Sequence, residues 1–150
     1  MKRGILATGM AILALALATG CGDDSEASIT KAEFVDQANA VCKEVLKAKN
    51  VLVKEELAQI KKEGKSLELD EKDALAVIAV ALPPLTELPD KLRQLEVPEG
   101  EEEPVEAIID SYATGVREME EDPGNAFGAD YPFKEGDELA ERYGLNVCKL

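Results

Sequence analysis

Apolar residues recur every three to five positions along much of this chain, and this spacing constrains its fold more than any other feature. The first such series is Phe34, Ala38, Val41, Val45, Ala48, Leu52, Leu57 and Ile60. A series of this kind forms one apolar stripe on an α-helix, whereas a half-buried strand requires strict alternation. Thr30-Lys31-Ala32-Glu33 has the form of a capping box. We therefore predict a long amphipathic helix that starts there, runs to about Lys62 and stops near Gly64.

A second helix is predicted to begin at Asp70-Glu71-Lys72-Asp73, where acidic residues favour a helix N-terminus. The run Ala74–Leu82 is apolar on all sides; its alanines favour a buried helix, although its β-branched residues leave a buried strand open. Pro83-Pro84 predicts a break or kink, because proline lacks an N–H group. Pro89 is tolerable if Thr86 caps a fresh helix and Pro89 lies in its first turn. We expect the apolar run to be core, and any uncovered part of it to be a binding surface.

Two further helices are predicted downstream. Glu101–Pro104 opens the third, with acidic residues and a proline in the first turn. Its apolar stripe is Val105, Ile108, Ile109, Tyr112, Val116 and Met119. After a turn at Asp122–Asn125, three aromatic residues are expected to plug one end of the core: Phe127, Tyr131 and Phe133. The fourth helix spans about Lys134 to Tyr143, with Gly144 as a left-handed C-cap and Leu145 as its hydrophobic partner.

Four helices with short connections and no convincing strand predict an all-α fold. We expect a compact, four-helix bundle-like domain with a Pro-kinked second helix.

The chain opens on a short basic segment, Met1-Lys2-Arg3, followed by eighteen uncharged residues from Gly4 to Cys21. A basic start, an apolar core and small residues before a cleavage point are typical of a secretory signal peptide. Ala18-Thr19-Gly20-Cys21 looks like a bacterial lipobox, in which the Cys21 thiol receives a diacylglyceryl group and becomes the mature N-terminus. Two alternatives stay open. The run could be an uncleaved transmembrane anchor, barely able to cross about 30 Å of hydrocarbon, or a conventional signal peptide cleaved elsewhere.

These features divide the chain into a lipoprotein signal peptide at residues 1–20, a flexible tether at 21–28 and a helical domain at 29–150. The tether is small and polar, and it reaches at most about 26 Å at roughly 3.3 Å per residue. Removal of the leader takes away Lys2 and Arg3, so the net charge changes from −14 to −16. We expect an acylated domain held close to the membrane. Its acidic balance gives it no general attraction to anionic lipid.

Cys42 and Cys148 are the cysteines left once Cys21 is assigned to the anchor. An even pair in an exported chain is expected to be oxidised. The alternative is a metal or redox pair, but the chain has no Cys-x-x-Cys motif and no histidine. We therefore predict a structural disulfide that ties the first helix to the C-terminus.

The composition excludes several classes of function. A chain without histidine has no His-based general base and no imidazole zinc site. Its negative charge argues against nucleic acid, and it contains neither a glycine-rich phosphate loop nor a Gly-x-Ser-x-Gly motif. The best calcium candidate, Glu120-Glu121-Asp122 with Asn125 and Asp130, does not fit an EF-hand loop. We interpret it as a helix end and a turn, and we expect no catalytic residue, cofactor or metal.

Several short motifs resemble those of a group of small secreted lipoproteins common in actinobacteria. The matching segments are Ile29–Phe34, Ala40–Cys42, Leu92–Pro98, Leu139-Ala140, Tyr143–Leu145 and Val147-Cys148. The resemblance implies a secreted all-helical domain and supports the Cys42–Cys148 pair. The group has no established activity, so the resemblance implies no catalytic residues.

We therefore expect a membrane-anchored extracytoplasmic lipoprotein with a non-enzymatic binding or structural role at the cell envelope. If it has a partner there, the acidic domain favours a cationic or metal-bearing one. The alternative is a lipoprotein that binds a small molecule or a metal ion and serves a transporter. A hydrolase is a distant third.

Overall fold

The computed structural model describes residues 28–64, 70–127 and 131–150. Over these ranges the chain is helical and contains no strand. The elements are α1 (Lys31–Lys62), α2 (Glu71–Thr86), α3 (Leu88–Arg93), α4 (Glu102–Glu121), a 3₁₀ turn (Pro123–Phe127) and α5 (Lys134–Tyr143). The all-α prediction is confirmed. The predicted leader and the tether up to residue 27, Cys21 included, lie outside the described residues.

The start of α1 is the predicted capping box. The backbone N–H of Glu33 donates to the Thr30 hydroxyl at 3.3 Å, and the N–H of Thr30 donates to the Glu33 carboxylate at 2.9 Å. Two orphan donors of the first turn are thereby satisfied. The N-terminus of α1 is also held against α4 and α5, because Lys31 pairs with Glu101 at 3.1 Å and lies 4.1 Å from the centre of the Tyr143 ring.

The helices enclose one core beneath the first half of α1. α2 runs back along α1, while α4 packs against α2, α3 and α5. The buried apolar side chains of this core are Phe34, Ala38, Cys42, Val45, Ile78, Leu85, Leu88, Leu92, Val105, Ile108, Ile109, Tyr112, Val116, Met119, Phe133, Ala140, Tyr143, Leu145 and Cys148. All six residues of the stripe predicted for α4 are among them, so that prediction is confirmed.

Tyr112 lies at the centre of this core and depends on a glycine in α5. A Cβ on Gly136 would lie 2.7 Å from the Tyr112 ring, so only glycine allows α5 to approach this closely. The helix then ends as predicted. Gly144 is left-handed at φ 110°, and the N–H of Leu145 donates to the carbonyl oxygen of Ala140 at 2.8 Å.

Cys42 and Cys148 form the predicted disulfide, with their Cα atoms 5.0 Å apart. The bond joins the middle of α1 to the segment that follows α5. Both cysteines are fully buried in the core.

The second helix ends differently from the prediction. α2 continues through Pro83-Pro84 to Thr86, and the chain breaks at Glu87 before α3 begins. Pro89 does lie in the first turn of α3, as predicted. Thr86 does not cap that helix, because its hydroxyl donates to the carbonyl oxygen of Pro83 at 2.7 Å within the last turn of α2.

The aromatic plug forms only in part. Phe133 is buried and Tyr131 is half-buried, but Phe127 is 61% exposed. The prediction is wrong for Phe127 because this residue ends a 3₁₀ turn in which no side chain is fully buried. Ala126 contributes to the core in its place.

The disulfide closes a loop with a sequence separation of 106 residues. Replacing Cys42 and Cys148 by alanine should lower the free energy of unfolding by about 4–5 kcal/mol, because the unfolded chain regains the entropy of that loop. Urea denaturation of the variant and its parent measures the difference. Cys21→Ala, which lies outside the loop, is the control. An unchanged denaturation midpoint in the double variant would contradict the prediction.

Candidate functional site

The outer half of α1 extends beyond the core. Between positions 46 and 59 no side chain of α1 is fully buried. Leu52 and Leu57, which were predicted to belong to the core stripe, are 36% and 39% exposed. The prediction is wrong for both because here α1 packs on α2, while α4 lies against α2, α3 and α5 instead. This half of the helix therefore presents apolar side chains to solvent.

The apolar run Ala74–Leu82 is also less buried than predicted. Ile78 is fully buried, Ala79 is exposed and the other residues are half-buried. α2 covers α1 with one face, and part of its other face stays in contact with solvent. The run therefore lies at the edge of the core and not at its centre.

Between Lys43 and Lys61, one solvent-facing arc of α1 carries lysines and apolar residues but no acidic residue. At 3.6 residues per turn the arc spans about 140° of the helix. We call this surface the basic strip. Its members are Lys43, Leu46, Lys47, Asn50, Val51, Lys54, Leu57, Ala58 and Lys61. Carboxylates lie at its edge, on Glu44 and Glu55, and on the same arc toward the start of α1, on Glu33 and Asp36.

The apolar members of the basic strip lie in the open between its lysines. Val51 is 48% exposed, and Leu46 is half-buried. Lys43, Lys47 and Lys54 line one shallow groove with these residues. This surface is thus amphipathic on its own, although it faces away from the core.

The segment after α5 forms one end of the basic strip. The N–H of Val147 donates to the side-chain oxygen of Asn39 at 3.1 Å, on the same side of α1 as Lys43. Val147 is 39% exposed and lines the groove together with Lys43 and Leu46. The disulfide therefore places an apolar residue of a distant segment beside the basic strip.

The lysines of the basic strip are free of ion pairs within the part of the chain that the structure describes. Elsewhere several cations have a carboxylate within 4 Å. These cations are Lys31, Lys91, Arg93, Arg142 and Lys149. Among the described residues, Lys43, Lys47, Lys54 and Lys61 have no such neighbour. Their charge is therefore available to a partner.

Negative charge concentrates on another helix. α4 contains seven acidic residues and a single basic one, Arg117. No Cα atom of α4 lies within 8 Å of one in α1, although Glu101, just before α4, pairs with Lys31 at 3.1 Å. The net charge of −14 therefore hides a segregated surface, with acids along α4 and uncompensated lysines along the outer half of α1.

A half-buried polar cluster lies on the other side of α1, around Asp137. Its carboxylate accepts hydrogen bonds from the N–H of Leu150 at 3.0 Å and from the Tyr131 hydroxyl. The Tyr112 hydroxyl donates to the carbonyl oxygen of Cys148 at 2.7 Å and lies 3.5 Å from the same carboxylate. The cluster fastens the segment after α5 onto α4 and α5.

Burial sets the protonation of this cluster. It raises the pKa of the Asp137 carboxyl, although the N–H of Leu150, the Tyr112 hydroxyl and the charges of Lys149 and Lys49 oppose the shift. Burial and the nearby Asp137 charge raise the pKa of Tyr112 strongly. Burial likewise lowers the pKa of Lys49. The Tyr112 hydroxyl therefore stays protonated, whereas the Asp137 carboxyl titrates in the acid range.

A cavity of about 180 Å³ adjoins the cluster. Its walls are largely apolar, and Lys49 and Tyr131 bring polar groups to it. The lining residues are Lys49, Ala81, Leu85, Met119, Ala126, Tyr131, Pro132, Phe133 and Leu150. The Lys49 ammonium donates to the backbone oxygen of Leu150 at 2.9 Å, which leaves two of its protons for other acceptors. An apolar cavity of about 150 Å³ already holds a benzene-sized molecule.

The structure does not assemble a metal centre from the residues it describes. No group of three or more His, Cys, Asp or Glu is arranged there to hold an ion. Glu120-Glu121-Asp122 closes α4, and the side chain of Asp122 accepts the N–H of Gly124 at 2.9 Å. Asp130, the last ligand of the calcium candidate, lies outside the described residues. Within the same ranges, no helix is long and apolar enough to cross a membrane.

The pKa shift of Asp137 predicts a pH dependence of stability. A folded pKa above the ordinary value of 3.8 means that the folded chain holds this proton more tightly than the unfolded chain. As pH rises from below 3.8 through the raised pKa, the free energy of unfolding of the wild type should therefore fall relative to that of Asp137→Asn. Chemical denaturation at a series of pH values measures the difference.

The matched control for this experiment is Asp36→Asn, at an exposed position of α1. Its stability over the same pH series gives the effect of removing an exposed carboxylate. A wild-type advantage over Asp137→Asn that grows with pH would have the wrong sign and would contradict the assignment.

The chain was compared with protein-family models, with curated proteins and with solved structures, and none of the three comparisons found a match. The features of the chain that bear on a function are the lipobox-like sequence Ala18–Cys21, the basic strip, the Asp137 cluster and the cavity beside it.

Proposed function

We propose that this chain is a lipoprotein anchored by Cys21 to the extracytoplasmic face of the cell membrane, and that its helical domain acts by binding, without catalysis. The observation that carries the binding role is the basic strip. The anchor is supported by the basic start, the apolar run and the small residues directly before Cys21. The resemblance to actinobacterial lipoproteins supports the same location.

The basic strip has the two properties of a contact surface. Its exposed apolar side chains, such as Val51 and Leu57, gain free energy when a partner removes them from water, at about 25 cal/mol per Å². Its lysines have no ion pair among the described residues, so a partner need not break one to reach them. Such uncommitted charge contributes to the rate and specificity of association.

The charge of the partner follows from the side of the domain that it meets. The overall acidic balance and the α4 face favour a cationic or metal-bearing partner. The basic strip favours an anionic one. We assign the binding role to the strip, because it combines charge with exposed apolar area.

A non-enzymatic role is supported by the hydrogen bonds of the half-buried polar cluster around Asp137. Asp137, Tyr112 and Tyr131 bond to one another or to the segment after α5, and the chain offers no histidine to act as a base beside them. These hydrogen bonds give all three side chains a structural role. We therefore place a hydrolase behind both binding functions.

The second candidate function is the binding of a small molecule for a transporter, and the cavity beside Lys49 favours it. The volume of about 180 Å³ suits a ligand of benzene size or slightly larger. The apolar walls and the ammonium group select a short aliphatic or aromatic carboxylate. This function does not exclude the first, because the cavity and the basic strip occupy different sides of α1.

The anchor is tested by Cys21→Ala in the full chain expressed in its bacterial host. The substitution removes the thiol that would carry the lipid, so the protein should leave the membrane fraction for the soluble fraction. Ser25→Ala, four residues further along, is the matched control and should stay with the membrane. Membrane retention of Cys21→Ala would contradict lipidation and support an uncleaved helix.

The cavity is tested with hexanoate as the probe. A ligand that binds only the folded chain raises its melting temperature, so hexanoate should do so in a concentration-dependent way. Ala81→Phe, which fills the cavity, should abolish the shift, and Lys49→Met should reduce it. Hexanol, which lacks the carboxylate, is the control ligand. An equal shift in the wild type and Ala81→Phe, or no shift in either, would contradict this second function.

A further inference from the structure

We propose that the basic strip docks the domain side-on onto the anionic surface of the membrane that anchors it, so that α1 lies along the bilayer. This inference rests on the proposed function, because it takes the anchor at Cys21 as given. The occupant of the strip is thus a phospholipid surface. The sequence-based expectation of no general attraction to anionic lipid rests on the net charge of the whole domain, and this strip departs from that average.

The chemistry of the basic strip matches a membrane interface. Interfacial helices present lysines together with apolar side chains that enter the boundary between headgroups and acyl chains. Here Val51 and Leu57 are the exposed apolar residues, and the lysines can extend their alkyl stems along the surface while their charges reach the phosphates. Each lysine near an anionic leaflet strengthens binding roughly fivefold, the equivalent of ~1 kcal/mol.

The geometry of the tether permits this orientation. The described chain begins at Ser28, three residues before α1, and the proposed lipid is on Cys21. Ser28 is bonded to the turn before α4, where the N–H of Glu99 donates to its hydroxyl at 3.3 Å, and the diameter of a helix such as α1 is about 10–12 Å. The tether reaches about 26 Å, so the anchor and the basic strip can engage the same membrane together.

Glu44 and Glu55 lie at the edge of the basic strip, and the larger set of acids lies on α4. Screening at physiological salt limits interactions between exposed charges to a Debye length of about 8 Å. The seven acidic residues of α4 belong to a helix whose Cα atoms all lie more than 8 Å from those of α1. The negative surface potential therefore acts most strongly on the lysines when the strip faces the bilayer.

An acidic protein is the other partner that lysines could select. The membrane is favoured because the tether keeps it within reach at all times, which raises its effective concentration far above that of a diffusing partner. The basic strip is also open along one helix, as a flat surface requires. An acidic protein partner therefore becomes an outcome of the test.

The experiment uses the acylated mature protein on vesicles of phosphatidylcholine with or without phosphatidylglycerol, with brominated phosphatidylcholine as a quencher. Because the chain has no tryptophan, Val51→Trp supplies a single reporter on the basic strip. Ala107→Trp, at an exposed position of α4, is the matched control. Ala58→Trp provides a second reporter on the strip if Val51→Trp does not fold.

Val51→Trp should show blue-shifted fluorescence and strong quenching on vesicles that contain phosphatidylglycerol, and little of either on phosphatidylcholine alone. Adding Lys43→Glu, Lys47→Glu and Lys54→Glu should remove the effect. Ala107→Trp should stay unquenched on both kinds of vesicle.

Flotation of the protein with both kinds of vesicle reports the anchor separately from the docking. Protein that floats while the strip reporter stays unquenched on anionic vesicles would overturn the docking and leave the anchor intact, as would quenching that ignores the lysine substitutions. Either result would point to another partner, such as an acidic protein. Protein that fails to float would instead overturn the anchor.

Discussion

The covalent link between Cys42 and Cys148 is the constraint on which the rest of this structure depends. It joins the middle of the longest helix to the segment after the last one, at a Cα separation of 5.0 Å. The Tyr112 hydroxyl bonds to the carbonyl oxygen of Cys148, and Asp137 and Lys49 hold Leu150. These contacts fasten the segment after α5 over a core with few aromatic residues. The same link sets the boundary of the exposed surface, because it places Val147 beside the basic strip.

The open surface follows from a mismatch of lengths. α1 has 32 residues, about 48 Å at 1.5 Å per residue, whereas its buried residues other than Ile60 end at Val45. The distal half of α1 therefore has α2 as its neighbour and leaves its opposite face in water. A helix that only needed to fill a core would be polar on that face. Here Val51 and Leu57 are exposed between unpaired lysines. This arrangement gives a physical reason to assign a role in binding.

Much of the fold could be predicted from the sequence, because its signals are local. The capping box at Thr30, the stripe of α4 and the left-handed Gly144 each depend on residues a few positions apart, and each is confirmed. The disulfide could be predicted because only two cysteines remained to pair. The position of the break could not, since α2 continues through Pro83-Pro84 and stops only at Glu87, just before the helix that contains Pro89.

The candidate site was harder to predict than the fold. Leu52 and Leu57 continue the spacing of the buried residues, so periodicity alone assigned them to the core. Their exposure depends on where the other helices end, which is a tertiary property. The signal that could have revealed the basic strip was already present: from position 43 onward, Lys43, Lys47, Lys54 and Lys61 share one arc of the predicted helix without an acid between them. The residues that line the cavity beside Lys49 come from several separate segments and show no periodic spacing, so the cavity could not be predicted from the sequence.

The central claim is that the lysines of the basic strip form the binding surface of a membrane-anchored domain. The most direct measurement is lysine-modification footprinting by mass spectrometry, on the acylated protein bound to anionic vesicles and to neutral vesicles. We predict that Lys43, Lys47 and Lys54 lose reactivity on anionic vesicles only, while Lys72, at the exposed start of α2, reacts equally on both. Equal reactivity of the strip lysines on the two kinds of vesicle would contradict the account.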